Sequence, residues 1–180
     1  AHGFVAPGSA LRRAGAGSGD DLWVSGTLGD AAAALAQWQA GGAIDPMLRA
    51  RLDRPTPRVA LGLALRGLAS ACIDVSDGLL ADLGHLCLAS GVGAEVEVDA
   101  LPASTALVAA FDAQARRGLQ ATGGDDYELC FSAPPARREA IAALPGTTRI
   151  GRIVAGDGVR AMTSAGAPWQ PVHAGYQHFA

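Results

Sequence analysis

The segment Leu68 to Leu86, LASACIDVSDGLLADLGHL, constrains the fold more than any other part of the chain. It opens with small and apolar residues ending in Ile73 and Val75, which suits a buried strand; from Leu79, the leucines at 79, 80, 83 and 86, with Cys87, recur at helical spacing. Asp74, Ser76 and Asp77 therefore fall on a strand-to-helix turn, with Ser76 as the expected N-cap and Gly91 as the expected stop. A helix N-terminus offers free amide groups and partial positive charge, and two carboxylates three residues apart can converge on one cation. Together they suit a metal-bound phosphate. The same residues also suit a plain cap and a strand end.

A chain of 180 residues with 49% hydrophobic content is long and apolar enough for one packed domain. The net charge of -3, with basic residues no more clustered than pairs such as Arg12-Arg13, leaves no electrostatic footprint for nucleic acid. Cys72, Cys87 and Cys130 sit in apolar surroundings without metal-binding spacing, so they are expected as reduced core residues of a cytoplasmic protein. The longest apolar stretch, Val59 to Ile73, is interrupted by Arg66, and the start AHGFVAPGSALRR has no leader pattern, so neither membrane anchoring nor secretion is expected. The first residue is not Met, and the chain is expected to begin inside a longer protein.

Residues 1–19 read as a loop or a remnant connection, and 20–180 as the folded domain. Strands are expected at Asp21 to Ser25, Gly93 to Val98 and the stretch ending at Phe131. Helices are expected at Ala31 to Ala40, Asp45 to Leu52, Val59 to Leu65, Thr105 to Arg117 and Arg137 to Leu144. Thr148 to Val154 and Val159 to Thr163 read as a hairpin across a GDG turn. The sum is a mixed α/β or α+β domain, a β-sheet packed with helices.

GGDDYEL at Gly123 to Leu129 is the second unusual stretch. Its glycines permit close backbone approach, so Asp125 and Asp126 can be presented from a tight turn toward a cationic partner; Tyr127 and Leu129 read as core. Composition alone favours an ordinary hairpin turn. The glycines near Arg13 do not form GxxxxGK[ST], and the chain has no lysine, so a Walker-type site is excluded. No GxSxG elbow is present.

Taken jointly, RAGAGSGDDLWVSGTLGDAAAAL, IDVSDGLLADLGHL, GGDDYELCF and the closing GYQHF resemble the thiamine-monophosphate kinase family, within the larger aminoimidazole ribonucleotide synthetase superfamily. The resemblance implies the C-terminal domain of that fold and a reaction that moves the γ-phosphoryl of ATP to thiamine monophosphate with magnesium. It also implies a homodimer when the subunit is full length. By resemblance, Asp74 and Asp77 are magnesium ligands, Ser76 and Arg13 contact ATP, and Asp125 and Tyr176 contact the thiamine substrate. Asp125 stands where the family usually has glutamate, and the acidic segments of the family's N-terminal domain do not appear in this chain, so the piece alone is expected to be inactive. A non-catalytic binding or assembly domain, or another ATP-using synthetase of the superfamily, are the alternatives; a diguanylate-cyclase-like reading of GGDDY lacks its metal-bearing upstream strand.

Phosphoryl transfer gives these residues a physical rationale apart from the family. A chain poor in basic residues must neutralise a polyphosphate mostly through metal ions held by carboxylates. A substrate that already ends in a phosphate attacks directly, so no protein nucleophile is needed.

Overall fold

A computed structural model describes residues 4–171 of the chain. Its strands are β1 (Asp21–Ser25), β2 (Ala71–Val75), β3 (Gly93–Glu97), β4 (Glu128–Ala133), β5 (Thr147–Val154), β6 (Val159–Met162) and β7 (Pro168–Trp169). Its α-helices are α1 (Asp30–Gln39), α2 (Pro46–Asp53), α3 (Val59–Ala64), α4 (Leu79–Ser90), α5 (Thr105–Ala110), α6 (Ala113–Thr122) and α7 (Arg138–Ala142). The strands form one mixed sheet in the order β2-β4-β1-β5-β3-β6-β7, antiparallel except where β3 meets β6. This is the mixed, helix-packed sheet that the residue pattern predicts.

Strand periodicity divides the core. On β1, Leu22 and Val24 pack toward α4, with Ile73, Val75, Leu83 and Leu86, while Trp23 points to the other face, against Cys72, Phe131 and Ile141. Trp23, Phe131 and Cys72 lie in register across β1, β4 and β2, one continuous row of side chains. A third cluster joins α1, α2 and α5 through Ala33, Ala34, Leu48 and Leu107. The buried face of α1 is therefore alanine, and Trp38 stays 65% exposed.

Three expectations are corrected. The Thr105 to Arg117 helix is two helices, because Phe111 is extended and the Asp112 carboxylate caps a fresh start by accepting from the Ala115 amide at 2.8 Å; Gly118 lies inside α6. β5 and β6 do not pair with each other. β3 lies between them, with Ala94 opposite both Ile153 and Val159, because its apolar row completes the core that a two-strand hairpin would leave open. The GDG sequence marks a turn correctly but does not identify the partner strand. β2 and β3, joined through α4, run parallel and are separated by β4, β1 and β5.

Residues 4–19 contain no helix or strand, yet residues 12–16 are not a free connection. The Cys72 amide donates to the Arg12 carbonyl at 2.7 Å. The Ser90 hydroxyl accepts from the Gly15 and Ala16 amides and donates to the Arg13 carbonyl. This segment covers the outer edge of β2 and fixes where Arg13 lies.

The third correction concerns the turn after β2. Ser76 is not the cap of α4; Gly78 is, at φ 115°. A Cβ at Gly78 would lie 2.7 Å from the Thr122 carbonyl oxygen, a backbone atom that cannot swing away. Gly78→Ala is therefore expected to destabilise the fold by about 2 to 4 kcal/mol, read by denaturant unfolding. A loss below about 0.5 kcal/mol would show that α4 and α6 can separate freely.

Candidate active site

β2 and β4 bring the two unusual segments together. Their ladder pairs Asp74 with Leu129 and Val75 with Glu128, and beyond its end the chain keeps pairing. The Asp125 amide donates to the Ser76 carbonyl at 2.9 Å and the Tyr127 amide to the Val75 carbonyl at 2.8 Å. A Cβ at Gly124 would sit 2.6 Å from the Ser76 oxygen, so a glycine is what lets the two turns touch. Asp125 (φ 66°) and Tyr127 (φ 51°) hold left-handed backbone, which non-glycine residues adopt rarely and which clusters at functional sites.

The turn itself is held by a residue that the periodicity did not single out. Asp82, in the first turn of α4 and 3% exposed, accepts the Ser76 and Asp77 amides, both at 2.9 Å. It ties the turn back onto α4, whose own first amides receive no side-chain cap, and an acidic residue near the helix start was the available signal. Burial raises its carboxyl above the ordinary range against the pull of those two amides, with Asp77 and Asp74 adding repulsion. Ser76 is left with its hydroxyl 3.4 Å from Asp77 Oδ1.

Two clefts flank this junction. The larger, of about 840 Å³, is bounded by α1, the end of α6 and both turns, and Leu35, Ala36, Ser76, Asp77, Asp125 and Tyr127 line it. The second, of about 500 Å³, is lined by Leu11, Arg13, Arg58, Val59, Asp74 and Leu129. The structure thus gathers Ser76, Asp77 and Asp125 on one cleft and sets Arg13 with Asp74 on the other; Tyr176 lies outside the described residues. Asp74 and Asp77 still share one electrostatic neighbourhood. The Tyr127 hydroxyl is raised above its usual range by Asp125 first, and then by burial, the hydrogen bond to Asp125, Asp74 and Asp77. Tyr127, expected in the core, is 43% exposed and faces the larger cleft, because the left-handed backbone breaks the strand alternation on which that expectation rested.

Under the loop lies a buried charge cluster. Glu128 is fully buried on β4 and accepts from Arg51 Nη2 at 2.8 Å, Arg58 Nε at 2.6 Å, Arg58 Nη2 and the Ser25 hydroxyl. It fastens α2 and the start of α3 to β4, the strand next to the sheet edge. Asp126, the neighbour of Asp125, turns inward instead of joining it: it is 2% exposed, and Oδ2 accepts the Gly29 amide at 2.8 Å. Burial pushes its carboxyl up to about 7, against the Gly29 bond and Arg51, with Asp30 and Glu128 adding to the rise. The adjacent carboxylates of GGDDYEL therefore divide their tasks, one facing the cleft and one the interior.

Among the described residues no group of three or more His, Cys, Asp or Glu is placed to hold a metal. Asp74 and Asp77 offer hard carboxylate oxygens on either side of one turn. Magnesium is commonly held by one or two carboxylates together with substrate phosphates and water, so this donor set fits a partial shell.

Comparison with known proteins adds to this geometry. Residues 17–164 match the family described as AIR synthase related protein, C-terminal domain. The thiamine-monophosphate kinase of Salmonella typhimurium is 43% identical over 189 residues, covering 99% of this chain and 58% of that protein. The crystal structure of thiamine-monophosphate kinase from Stenotrophomonas maltophilia K279a superposes with a TM-score of 0.85 at 49% identity, over 92% of this chain and 56% of that one. AaThiL complexed with AMPPCP and TMP superposes at 0.79 with 34% identity, over 94% of this chain and 54% of that one. The chain spans somewhat more than half the length of the relatives it matches.

Removing Glu128 tests how far the site leans on the cluster beneath it. Glu128→Ala strips Arg51 and Arg58 of a buried partner and is expected to cost about 3 to 5 kcal/mol by chemical denaturation. A cost under about 1 kcal/mol would show that the two arginines find solvent or other partners without strain.

Proposed function

Because the chain belongs to the AIR synthase related protein, C-terminal domain, family, we propose that it supplies the C-terminal part of a thiamine-monophosphate kinase site. The observation that carries the proposal is the backbone junction that puts Ser76, Asp77 and Asp125 on one cleft with Asp74 just across the turn. The reaction is transfer of the γ-phosphoryl group of ATP to the phosphate of thiamine monophosphate, giving ADP and thiamine diphosphate. The relative solved with AMPPCP and TMP supports both substrates for that protein, and its likeness to this chain, 34% identical with a TM-score of 0.79, is the ground for extending them to this one.

In this assignment Asp74 and Asp77 hold magnesium, whose charge, when bound, offsets that of the transferring phosphates. Ser76 offers its hydroxyl and Arg13 its guanidinium to ATP. Asp125 pairs with the cationic thiazolium of the substrate at the mouth of the larger cleft, and the exposed Tyr127 ring offers it an aromatic face. Tyr176 is assigned by resemblance to the same ring. The remaining metal ligands and phosphate contacts come from the share of the relatives' length that this chain does not span, so the 180 residues alone are expected not to turn over.

The helices described include none long and apolar enough to cross a membrane. A cytoplasmic location and a homodimer of the full-length subunit belong to the same proposal; the three buried, free cysteines suit a reducing compartment.

In the intact protein, Asp74→Asn and Asp77→Asn are each expected to lower kcat by about 100-fold or more and to raise the magnesium concentration needed for half-maximal rate, measured by ADP release. Turnover and magnesium dependence that stay at wild-type values in either variant contradict the assignment of that residue.

A further inference from the structure

The loop that presents Asp125 and Tyr127 is anchored through the residue between them. Asp126 Oδ2 accepts the Gly29 amide at the start of α1, and its Oδ1 is buried with no hydrogen-bond partner among the described residues. Since Asp125 and Tyr127 both hold left-handed backbone, their directions depend on what fixes that loop, and Asp126 is its interior fixing point.

The charges around Asp126 do not balance. Asp30 on α1 and Glu128 on β4 are buried carboxylates beside it; Arg51 on α2 is the guanidinium near all three, and Arg58, ahead of α3, reaches Glu128. Three acids thus share two guanidiniums. Glu128 is hydrogen-bonded by both arginines and Ser25, and Asp30 by the hydroxyls of Thr27 and Ser104. Asp126 has a single backbone amide. Of the three, it is the one whose charge is least compensated, and taking up a proton from solvent removes that charge.

We propose that Asp126 is a positioning residue of the site: a buried carboxyl that holds one proton and in that neutral state seats the Gly124 to Tyr127 loop, so that the presentation of Asp125 and Tyr127 to substrate follows its protonation. The proposal rests on the kinase assignment only for the identity of that substrate. Burial supports it independently, since it raises this carboxyl from 3.8 to about 7. Between those values the folded chain keeps a proton that the unfolded chain has released. The stability contributed by this group is therefore greatest at the acid end and falls as pH rises through about 7.

Two measurements on the intact protein test it. The Tyr127 ring resonances, assigned by their loss in Tyr127→Phe, are expected to shift with a midpoint near 7 in the wild type and to lose that midpoint in Asp126→Asn, whose amide cannot ionise. The KM for thiamine monophosphate is expected to rise about threefold or more between roughly pH 6 and 8.5 in the wild type relative to Asp126→Asn; titration of the substrate's own phosphate is common to both and cancels in the ratio. A Tyr127 signal without a midpoint near 7, or with the same midpoint in Asp126→Asn, overturns the proposal, and so does an unchanged KM ratio in an active pair. Should Asp126→Asn fail to fold, the wild-type Tyr127 titration decides alone. A wild type that does not turn over thiamine monophosphate would sink the kinase assignment and leave Asp126 to be judged by the Tyr127 titration.

Discussion

Everything proposed for this chain depends on two backbone hydrogen bonds, from the Asp125 amide to the Ser76 carbonyl and from the Tyr127 amide to the Val75 carbonyl. They extend the β2–β4 ladder past the point where regular strand ends, and so join two turns that lie some fifty residues apart in the chain. Neither turn is a site by itself. A strand-to-helix turn with two aspartates is common, and so is a glycine-rich turn with two more. What distinguishes the pair is contact close enough to exclude a side chain at Gly124, so that Ser76, Asp77 and Asp125 open onto one volume. Backbone pairing suits this task because it fixes direction as well as distance, whereas flexible side chains would have to be ordered at an entropic cost.

The junction is supported from below by buried charge, which is an expensive material. Placing Glu128 entirely out of water costs several kcal/mol, and two arginines with a serine hydroxyl are what offset it. An apolar residue would pack there without that cost. A directional cluster, however, ties α2, the start of α3 and β1 to one carboxylate at the foot of the site loop, and its hydrogen bonds are lost on any register slip. Arg58 belongs to this cluster and also lines the cleft that holds Arg13 and Asp74, so the support of one cleft is physically continuous with the wall of the other.

Periodicity made most of the scaffold legible. β1, β2, β3 and α4 fall where alternation and helical spacing put them, and α2 begins with Asp45 accepting the Met47 and Leu48 amides, as an Asp-Pro start implies. The misplacements have a common cause: local signals mark where a chain turns, not what it turns toward. The GDG turn does not reveal that β3 will enter between β5 and β6, and nothing near Ser76 reveals that Asp82 will reach back to hold it. The candidate site could be read in the sequence only as residue types. The split between an outward Asp125 and an inward Asp126 could not, because it rests on positive φ at Asp125 and Tyr127, and sequence suggests such values at glycine and more weakly at Asp or Asn, never at a tyrosine.

The same split sets the charge of the larger cleft. Phosphates crowd negative charge, and the larger cleft answers with more negative charge, from Asp77 and Asp125, and with no arginine among the described residues that line it. Arg13 and Arg58 are across the turn with Asp74. A wall of this kind attracts cations and repels a bare polyphosphate, which is the charge preference that the proposed thiazolium and metal-bound nucleotide would require. Balanced neutralisation then requires charge brought by the metal or by a second surface. The lining of the larger cleft has the electrostatics of a single wall, acidic at the turn and apolar along α1.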